Sequence, residues 1–286
     1  MNGIIIINKS KGNTSHDIVV RVKKITGEKV GHTGTLDPLA TGVLPLLIGK
    51  GTLCSKYLMN HDKTYKVLLK LGIKTSTGDD EGDILKEESV NTELLNKEKV
   101  RIVLGSFLGE QEQIPPMYSA IKVNGKKLYE YARKGQEIEI KPRKITIYDI
   151  QLLKSDKESN EIQFTVNCSK GTYIRSLCED IAKKMGTVGY MKELQRTKVG
   201  TFAIEQSVLF EDLTKETIEE HIITIENLFK NLEEIKLNER KLQLFLNGTK
   251  LSLDLEDGIY KIYGNQQFIG IGIVKDKFLK RDIVIN

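Results

Sequence analysis

An α+β fold is predicted, with a mixed, mainly antiparallel sheet, flanking helices and a small all-β unit at the C-terminus. Three observations lead to it. Apolar residues recur at every second position in several segments, which is strand patterning. Those segments are separated variously by helices, loops and turns, without the strict βαβα alternation of a parallel sheet. Beyond about residue 236 the pattern changes to short strands and turns. The 286 residues, 39% hydrophobic and 29% charged with 5 Pro and 24 Gly, have an ordinary globular composition, and the length suits one large domain or one large plus one small. Disordered and fibrous classes are thereby excluded.

Residues 3–8 read as a strand of β-branched Ile, followed by a turn containing Lys and Gly. Ser15 is the expected N-cap of a helix whose Ile18, Val19, Val22 and Ile25 fall at helical spacing, and Gly27 stands where a C-terminal glycine belongs. Gly31 to Gly42 has no periodicity. Val43 to Ile48 returns to strand character, Leu53, Tyr57 and Leu58 suggest a short helix, and Tyr65, Val67, Leu69 and Leu71 alternate as one strand face. A helix is expected over 92–108, with Val100, Val103, Leu104 and Phe107 on its buried stripe. Strands follow at 118–123, 145–153 and 161–168, then a helix over 174–185, a strand at 191–199, and helix with linker over 205–235. In the last segment, Ile259 to Tyr263, a Gly264-Asn265 turn, and Ile269, Ile271 and Ile273 alternating with Gly270 and Gly272 suggest a small barrel with close backbone approach. The expected domains are 1–235 and 236–286.

Lys plus Arg number 44 and Asp plus Glu 39, a net charge of only +5. Its distribution is uneven. Residues 1–59 hold eight basic and three acidic side chains, 114–144 the same eight and three, and 205–235 two basic and nine acidic. Two basic blocks and a distant acidic one suggest a positive face for phosphates, although solvated charge without a partner explains them equally well. The only apolar run near the N-terminus, Ile4 to Ile7, is too short for a signal peptide, and no segment is long enough to span a membrane. A cytosolic protein is expected, with Cys54, Cys168 and Cys178 as reduced structural thiols.

Several fragments resemble common machinery without meeting its requirements. Around Gly49-Lys50-Gly51-Thr52 a phosphate loop would need Gly at Leu44 and Ser or Thr at Gly51, which argues against a nucleotide hydrolase. Gly270 and Gly272 lack the context of a dinucleotide site. His16, His32, His61 and His221 have no spacing suited to a metal, and neither metal nor cofactor is expected. What stands out is Gly31-His32-Thr33-Gly34-Thr35-Leu36-Asp37-Pro38-Leu39-Ala40-Thr41-Gly42, a loop constrained by proline and given sharp turns by glycine. Spacing alone favours an Asx-type turn in which the Asp37 carboxylate caps its own backbone.

That run, continued by Val43-Leu44-Pro45, resembles the catalytic motif of the bacterial tRNA pseudouridine-55 synthases, the TruB family. The resemblance continues at Asp62-Lys63-Thr64-Tyr65, at Ile114-Pro115-Pro116-Met117-Tyr118-Ser119-Ala120 with Gly125 to Arg133, and at Cys168-Ser169-Lys170-Gly171-Thr172-Tyr173-Ile174-Arg175, in family order over about 200 residues. It implies isomerisation of a uridine, whose base is detached at N1, turned and rejoined through C5, with no redox change, metal or nucleotide cofactor. Asp37 matches the catalytic aspartate, acting either by covalent addition or by removing a ribose proton. Arg175 matches the arginine that pairs with it, an opposite charge favouring the ionised carboxylate. Tyr65 matches the tyrosine that stacks on the target base and assists proton removal, while Tyr173 and Leu194 match residues lining the uridine pocket. His32 matches a histidine that fills the space of the flipped base. Taken singly, Tyr65, Tyr173 and Leu194 are more often core residues and His32 a loop histidine bonded to backbone, while Arg175 is as often a surface salt bridge or phosphate contact.

The basic block 114–144 coincides with the family's thumb insertion over the T-arm of tRNA, and its Lys122, Lys126, Lys127, Arg133 and Lys134 are the expected RNA contacts. The C-terminal unit resembles the small RNA-binding module called PUA. The implied enzyme is a monomer, neither membrane-bound nor metal-dependent, with tRNA as partner. Two alternatives share the scaffold: an RNA-binding or tRNA-folding protein, and a guide-RNA-dependent relative. One departure is local, since the family's Lys-Pro-x-Gly is here Lys9-Ser10-Lys11-Gly12, and serine loses proline's fixed φ.

Overall fold

The computed structural model describes residues 1–136 and 138–285; Glu137, inside the 114–144 segment, and Asn286, at the end of the 236–286 segment, lie outside the described residues. Strand β1 (Gly3–Lys9) sends Ile5 and Ile7 into the main core and Ile4 and Ile6 into a second one on the opposite face. All four are buried. The run is apolar without alternation because both faces of the sheet are covered.

Helix α1 (Ser15–Thr26) is capped by Thr14, one residue before the expected Ser15. The Thr14 hydroxyl accepts from the Asp17 N–H at 3.0 Å and the Asp17 carboxylate accepts from the Thr14 N–H at 2.8 Å, a reciprocal arrangement that satisfies two donors at once. Ser15 instead turns inward, accepting the Leu36 N–H at 2.8 Å and donating to the Leu36 carbonyl at 3.1 Å. Gly27 ends the helix at φ 71°, in the left-handed region that glycine enters freely. Next come β2 (Val30–His32), β3 (Thr41–Ile48), two helical turns over Gly49–Leu58, and β4 (Lys63–Leu71).

The helix expected over 92–108 is interrupted. Thr92–Leu95 is a separate 3-10 turn, and α2 (Lys97–Gly105) begins after Asn96, whose extended backbone and side-chain oxygen cap the new start. Strand β5 (Gly109–Gln113), Gly-Glu-Gln-Glu-Gln, escaped the sequence reading because this edge strand has no apolar face. Then follow β6 (Arg143–Asp156), β7 (Glu161–Cys168), α3 (Ile174–Lys184) and β8 (Gly189–Val199). The strand expected at 118–123 shrinks to Lys122–Val123, paired with Lys126–Lys127 across an Asn124-Gly125 turn with φ of 52° and 80°. Asn-Gly is the sequence such a two-residue hairpin prefers.

With β9 (Val208–Leu209), the sheet order is β9-β1-β3-β8-β4-β7-β6-β5. Only β1 with β9 and β3 with β8 run parallel; the other neighbours are antiparallel. The β3–β8 contact depends on Gly42, at φ 102°, since a Cβ there would lie 2.2 Å from the Arg196 carbonyl oxygen. Helices α1, α2 and α3 cover one face. The acidic 205–235 segment forms no long helix. It breaks into single turns whose Leu213 and Ile218 enter the main core and Ile225 the second.

The last segment is a five-stranded sheet of β10 (Glu234–Leu237), β11 (Leu251–Ser252), β12 (Gly258–Gly264), β13 (Gln267–Lys275) and β14 (Phe278–Val284), in the order β10-β12-β13-β14-β11. It also holds one helix, α4 (Glu239–Leu246), capped by Asn238 and burying Leu242 and Phe245. The β12–β13 turn pivots on Asn265 and Gln266, at φ 51° and 62°, one residue later than Gly264-Asn265. This unit has its own core and also places Ile271 and Ile283 against Ile4, Ile6, Val43 and Leu47. No helix among the described residues is long and apolar enough to cross a membrane.

Candidate active site

The loop between β2 and β3 carries Asp37, and three sets of bonds fix it. The Ala40 N–H donates to the Asp37 carbonyl at 3.0 Å, closing the turn with backbone alone. The Pro38 carbonyl accepts from the Gly12 N–H at 2.8 Å and from Lys9 Nζ at 3.2 Å. The Ser15 hydroxyl holds Leu36 from behind. The Asx-type turn favoured by spacing is thus not what closes the loop. With the backbone closing it, the carboxylate is available to Arg175.

Arg175, on the first turn of α3, places Nη2 3.2 Å from Asp37 Oδ2 and Nη1 3.6 Å from Asp79 Oδ2. The guanidinium and Asp79 side chains are 8% and 6% exposed, whereas Asp37 is 38% exposed. One cation therefore bridges a buried carboxylate and an open one. Arg175 also donates to the Tyr118 carbonyl at 2.8 Å and the Thr77 carbonyl at 3.2 Å, which fixes the guanidinium plane. Asp79 has a structural contact of its own, since its side chain takes the Glu81 N–H at 3.2 Å.

Asp37 opens into a cavity of about 410 Å³ lined also by Tyr65, Tyr173, Leu194 and Met191 from the sheet side, and by Tyr118 and Tyr129 from the 114–144 segment. Small-ligand pockets occupy about 300–1,000 Å³, so one nucleoside is a suitable occupant. Tyr65 and Leu194 reach it because β4 and β8 pair with Val67 opposite Leu194 and Tyr65 opposite Arg196. Burial pushes both Tyr65 and Tyr173 up from the ordinary phenol value. Tyr173 is pinned by Gln113, whose side-chain amide accepts its N–H at 2.8 Å and donates to its carbonyl at 3.0 Å.

Five predicted residues, Asp37, Tyr65, Tyr173, Arg175 and Leu194, are therefore brought to one cavity from positions up to 157 apart in the chain. His32 is not among its lining residues. It sits half-buried at the end of β2 with Nδ1 buried and unpartnered, and burial, helped by Arg196 and His16, pushes it below the usual imidazole value. In the 114–144 segment Lys122, Lys126, Arg133 and Lys134 are exposed and Lys127 is half-buried. Lys127 Nζ lies 5.2 Å and the Arg133 guanidinium 5.3 Å from the centre of the Tyr129 ring, so two of the predicted RNA contacts flank a tyrosine of the cavity.

Sequence reasoning missed Asp79, Gln113 and Arg196. Asp79 and Gln113 lie in segments without periodicity, which give no signal. Arg196 had a weak one, standing two positions beyond the apolar Leu194 and so on the same face of the strand. Among the described residues no cluster of His, Cys, Asp and Glu is arranged to hold a metal ion. Cys54, Cys168 and Cys178 are buried free thiols, pushed up by desolvation, the first two to about 12.

Residues 22–174 match the family model described as TruB family pseudouridylate synthase (N terminal domain), and residues 175–236 match tRNA pseudouridylate synthase B C-terminal domain. A Clostridium tetani protein named tRNA pseudouridine synthase B is 48% identical over 279 residues, covering 95% of each chain. An Aquifex aeolicus protein of the same name is 42% identical over 279 residues, covering 96% of each. Among solved structures, a chain of a Cbf5-Nop10-Gar1 complex has a TM-score of 0.68 at 26% identity, covering 95% of this chain and 78% of that one. A chain of an H/ACA RNP bound to a substrate RNA containing 2'-deoxyuridine has a TM-score of 0.66 at 25% identity, with 95% and 78% covered.

Proposed function

The chain belongs to the TruB family of pseudouridylate synthases, and from that premise we propose that it isomerises uridine to pseudouridine at position 55, in the T-loop of tRNA, with Asp37 as the catalytic residue. The observation that carries this reading is the Asp37 carboxylate, open to a nucleoside-sized cavity and paired at 3.2 Å with an almost buried arginine. Tyr65 and Tyr173 supply aromatic surface for the base, and Leu194 and Met191 an apolar floor. A uridine stacked in a folded loop must be flipped out to reach Asp37, at a cost of a few kcal/mol. Lys122, Lys126, Lys127, Arg133 and Lys134 offset that cost through phosphate contacts, with the 114–144 segment as thumb and 236–286 as the RNA-binding module. His32, at the end of β2, fills the space vacated by the flipped base.

The stand-alone reading is favoured over a guide-RNA-dependent one by the near full-length identity to proteins named tRNA pseudouridine synthase B, against 26% for the Cbf5 complex. The enzyme acts as a monomer in the cytoplasm and requires neither metal nor nucleotide cofactor. Purified protein incubated with an unmodified tRNA transcript forms pseudouridine at the T-loop without guide RNA. Asp37→Asn lowers the rate by on the order of 10³-fold or more while tRNA binding persists. A mutant as active as the wild type would remove Asp37 from the chemistry, and pseudouridine at another position would correct the substrate site.

A further inference from the structure

Arg196 lies at the centre of β8 with only 2% of its surface exposed. Among the described residues no carboxylate forms an ion pair with it. Its donors go instead to three backbone carbonyls, Val43 at 2.8 Å, Gly34 at 3.0 Å and Thr35 at 3.4 Å. Gly34 and Thr35 belong to the loop that carries Asp37. Val43 belongs to β3, whose close approach to β8 at Gly42 leaves Arg196 no freedom to withdraw. Directly across the β4–β8 pair stands Tyr65, and the guanidinium is the positive group that favours a charged phenol there.

A buried guanidinium without a counter-ion is costly, and proteins relieve that cost by pairing or by hydrogen bonds. Here the carbonyls satisfy the donors but supply only partial negative charge. We infer that Arg196 is a positioning residue acting through Tyr65, clamping the Asp37 loop in register and supplying the positive charge against which the Tyr65 oxygen becomes negative during the reaction. The inference rests on the uridine isomerisation proposed above.

The chemistry gives that oxygen a task. When the base is rejoined through C5, that carbon must lose its hydrogen as a proton. The electron pair of the C5–H bond restores the ring double bond, and N1, released from the sugar, takes a proton from solvent. The phenolate oxygen of Tyr65 accepts the C5 proton, the phenol having first released its own to solvent. The charged and titratable groups facing Tyr65 are Arg196 from β8, Cys168 from β7 and Asp37 from the loop, with Lys63 two positions away on its own strand. Burial, Cys168 and Asp37 all oppose negative charge on the phenol, and Arg196 favours it.

The test uses full-length protein in which all ten tyrosines are replaced by difluorotyrosine, whose phenol titrates several units lower and is visible by fluorine NMR. The Tyr65 signal is identified by its loss in Tyr65→Phe. Arg196→Gln is expected to titrate Tyr65 at higher pH than the wild type, and Arg196→Lys at the wild-type position. An unmoved signal in Arg196→Gln overturns the inference. With tRNA at saturation, Arg196→Gln lowers kcat on the order of 10²-fold with KM nearly unchanged, and adding Tyr65→Phe lowers it little further. Losses that multiply independently also overturn it. Should Arg196→Gln fail to fold, Arg196→Lys decides: an unmoved Tyr65 signal with most activity kept supports the charge role, and an unmoved signal with activity lost defeats it. The NMR titration needs no RNA, so a wild type that forms no pseudouridine defeats the isomerase reading alone.

Discussion

The two regions that meet at the cavity, the sheet side and the 114–144 segment, use the same residue class in opposite ways. On the sheet side Lys9, Arg175 and Arg196 are buried, and each is bound to backbone carbonyls or carboxylates at fixed distances. On the 114–144 side Lys122, Lys126, Arg133 and Lys134 stand in solvent. Buried cations are screened little by salt and act through geometry, whereas exposed ones act at a distance and are screened within about 8–10 Å at ordinary ionic strength. In the proposed function, one side positions the chemistry and the other attracts the polyanion.

The sharpest way to break this contrast is at Arg175. Arg175→Met leaves Asp79 buried without its cation, which is expected to destabilise the fold by about 3 kcal/mol, read by urea unfolding, and to abolish most activity. If stability is unchanged, the arginine is not the bridge between the two carboxylates. Lys9 tests the same side by pH. Burial pushes its ammonium down from 10.5 to about 8, so between those values the unfolded chain binds more protons than the folded one and stability rises with pH. The penalty is present in full below about pH 8 and is relieved as pH climbs toward 10.5. The unfolding free energy of the wild type relative to Lys9→Met should therefore increase across that window, by on the order of 3 kcal/mol. A flat difference would show that Lys9 is charged at no cost.

The exposed side should respond to salt instead. Replacing Lys126, Lys127 and Arg133 with alanine weakens tRNA binding and reduces the slope of log K against log salt by about 2, while Tm stays within about 2 °C. An unchanged slope would take these side chains off the RNA surface. The smallest effect is expected at Ser10, where the family has proline. Its hydroxyl donates to Glu211 at 3.1 Å in an exposed setting, and Ser10→Ala should change stability by no more than about 0.5 kcal/mol. A larger change would mean that this contact replaces the rigidity of the missing proline.

Legibility in the sequence followed the range of the interactions. Tyr65 to Leu71 and Glu161 to Cys168 were readable because alternation is a property of neighbouring residues, as were the stop at Gly27 and the conspicuous Asp-Pro loop. The start of α1 was misplaced by one residue because Thr14 and Ser15 are both good caps by type. Only the contact of Ser15 with Leu36 decides between them. The 205–235 segment reads as helix with linker, yet its apolar residues are divided between two cores, which no continuous helix could serve.

By itself the sequence determined the strands with an alternating or continuous apolar pattern, the first helix, the uneven charge and, through ordered motifs, the family, because each depends on local pattern or on residues in a fixed order. The tertiary structure alone decided which residues meet. The pairing of β4 with β8 set Tyr65 opposite Arg196, and the start of α3 set Arg175 between Asp37 and Asp79. A shift of one residue in the β4–β8 register would turn Tyr65 or Arg196 to the other face of the sheet. Such long-range register is an outcome of packing the whole core, and no short segment of the chain contains it.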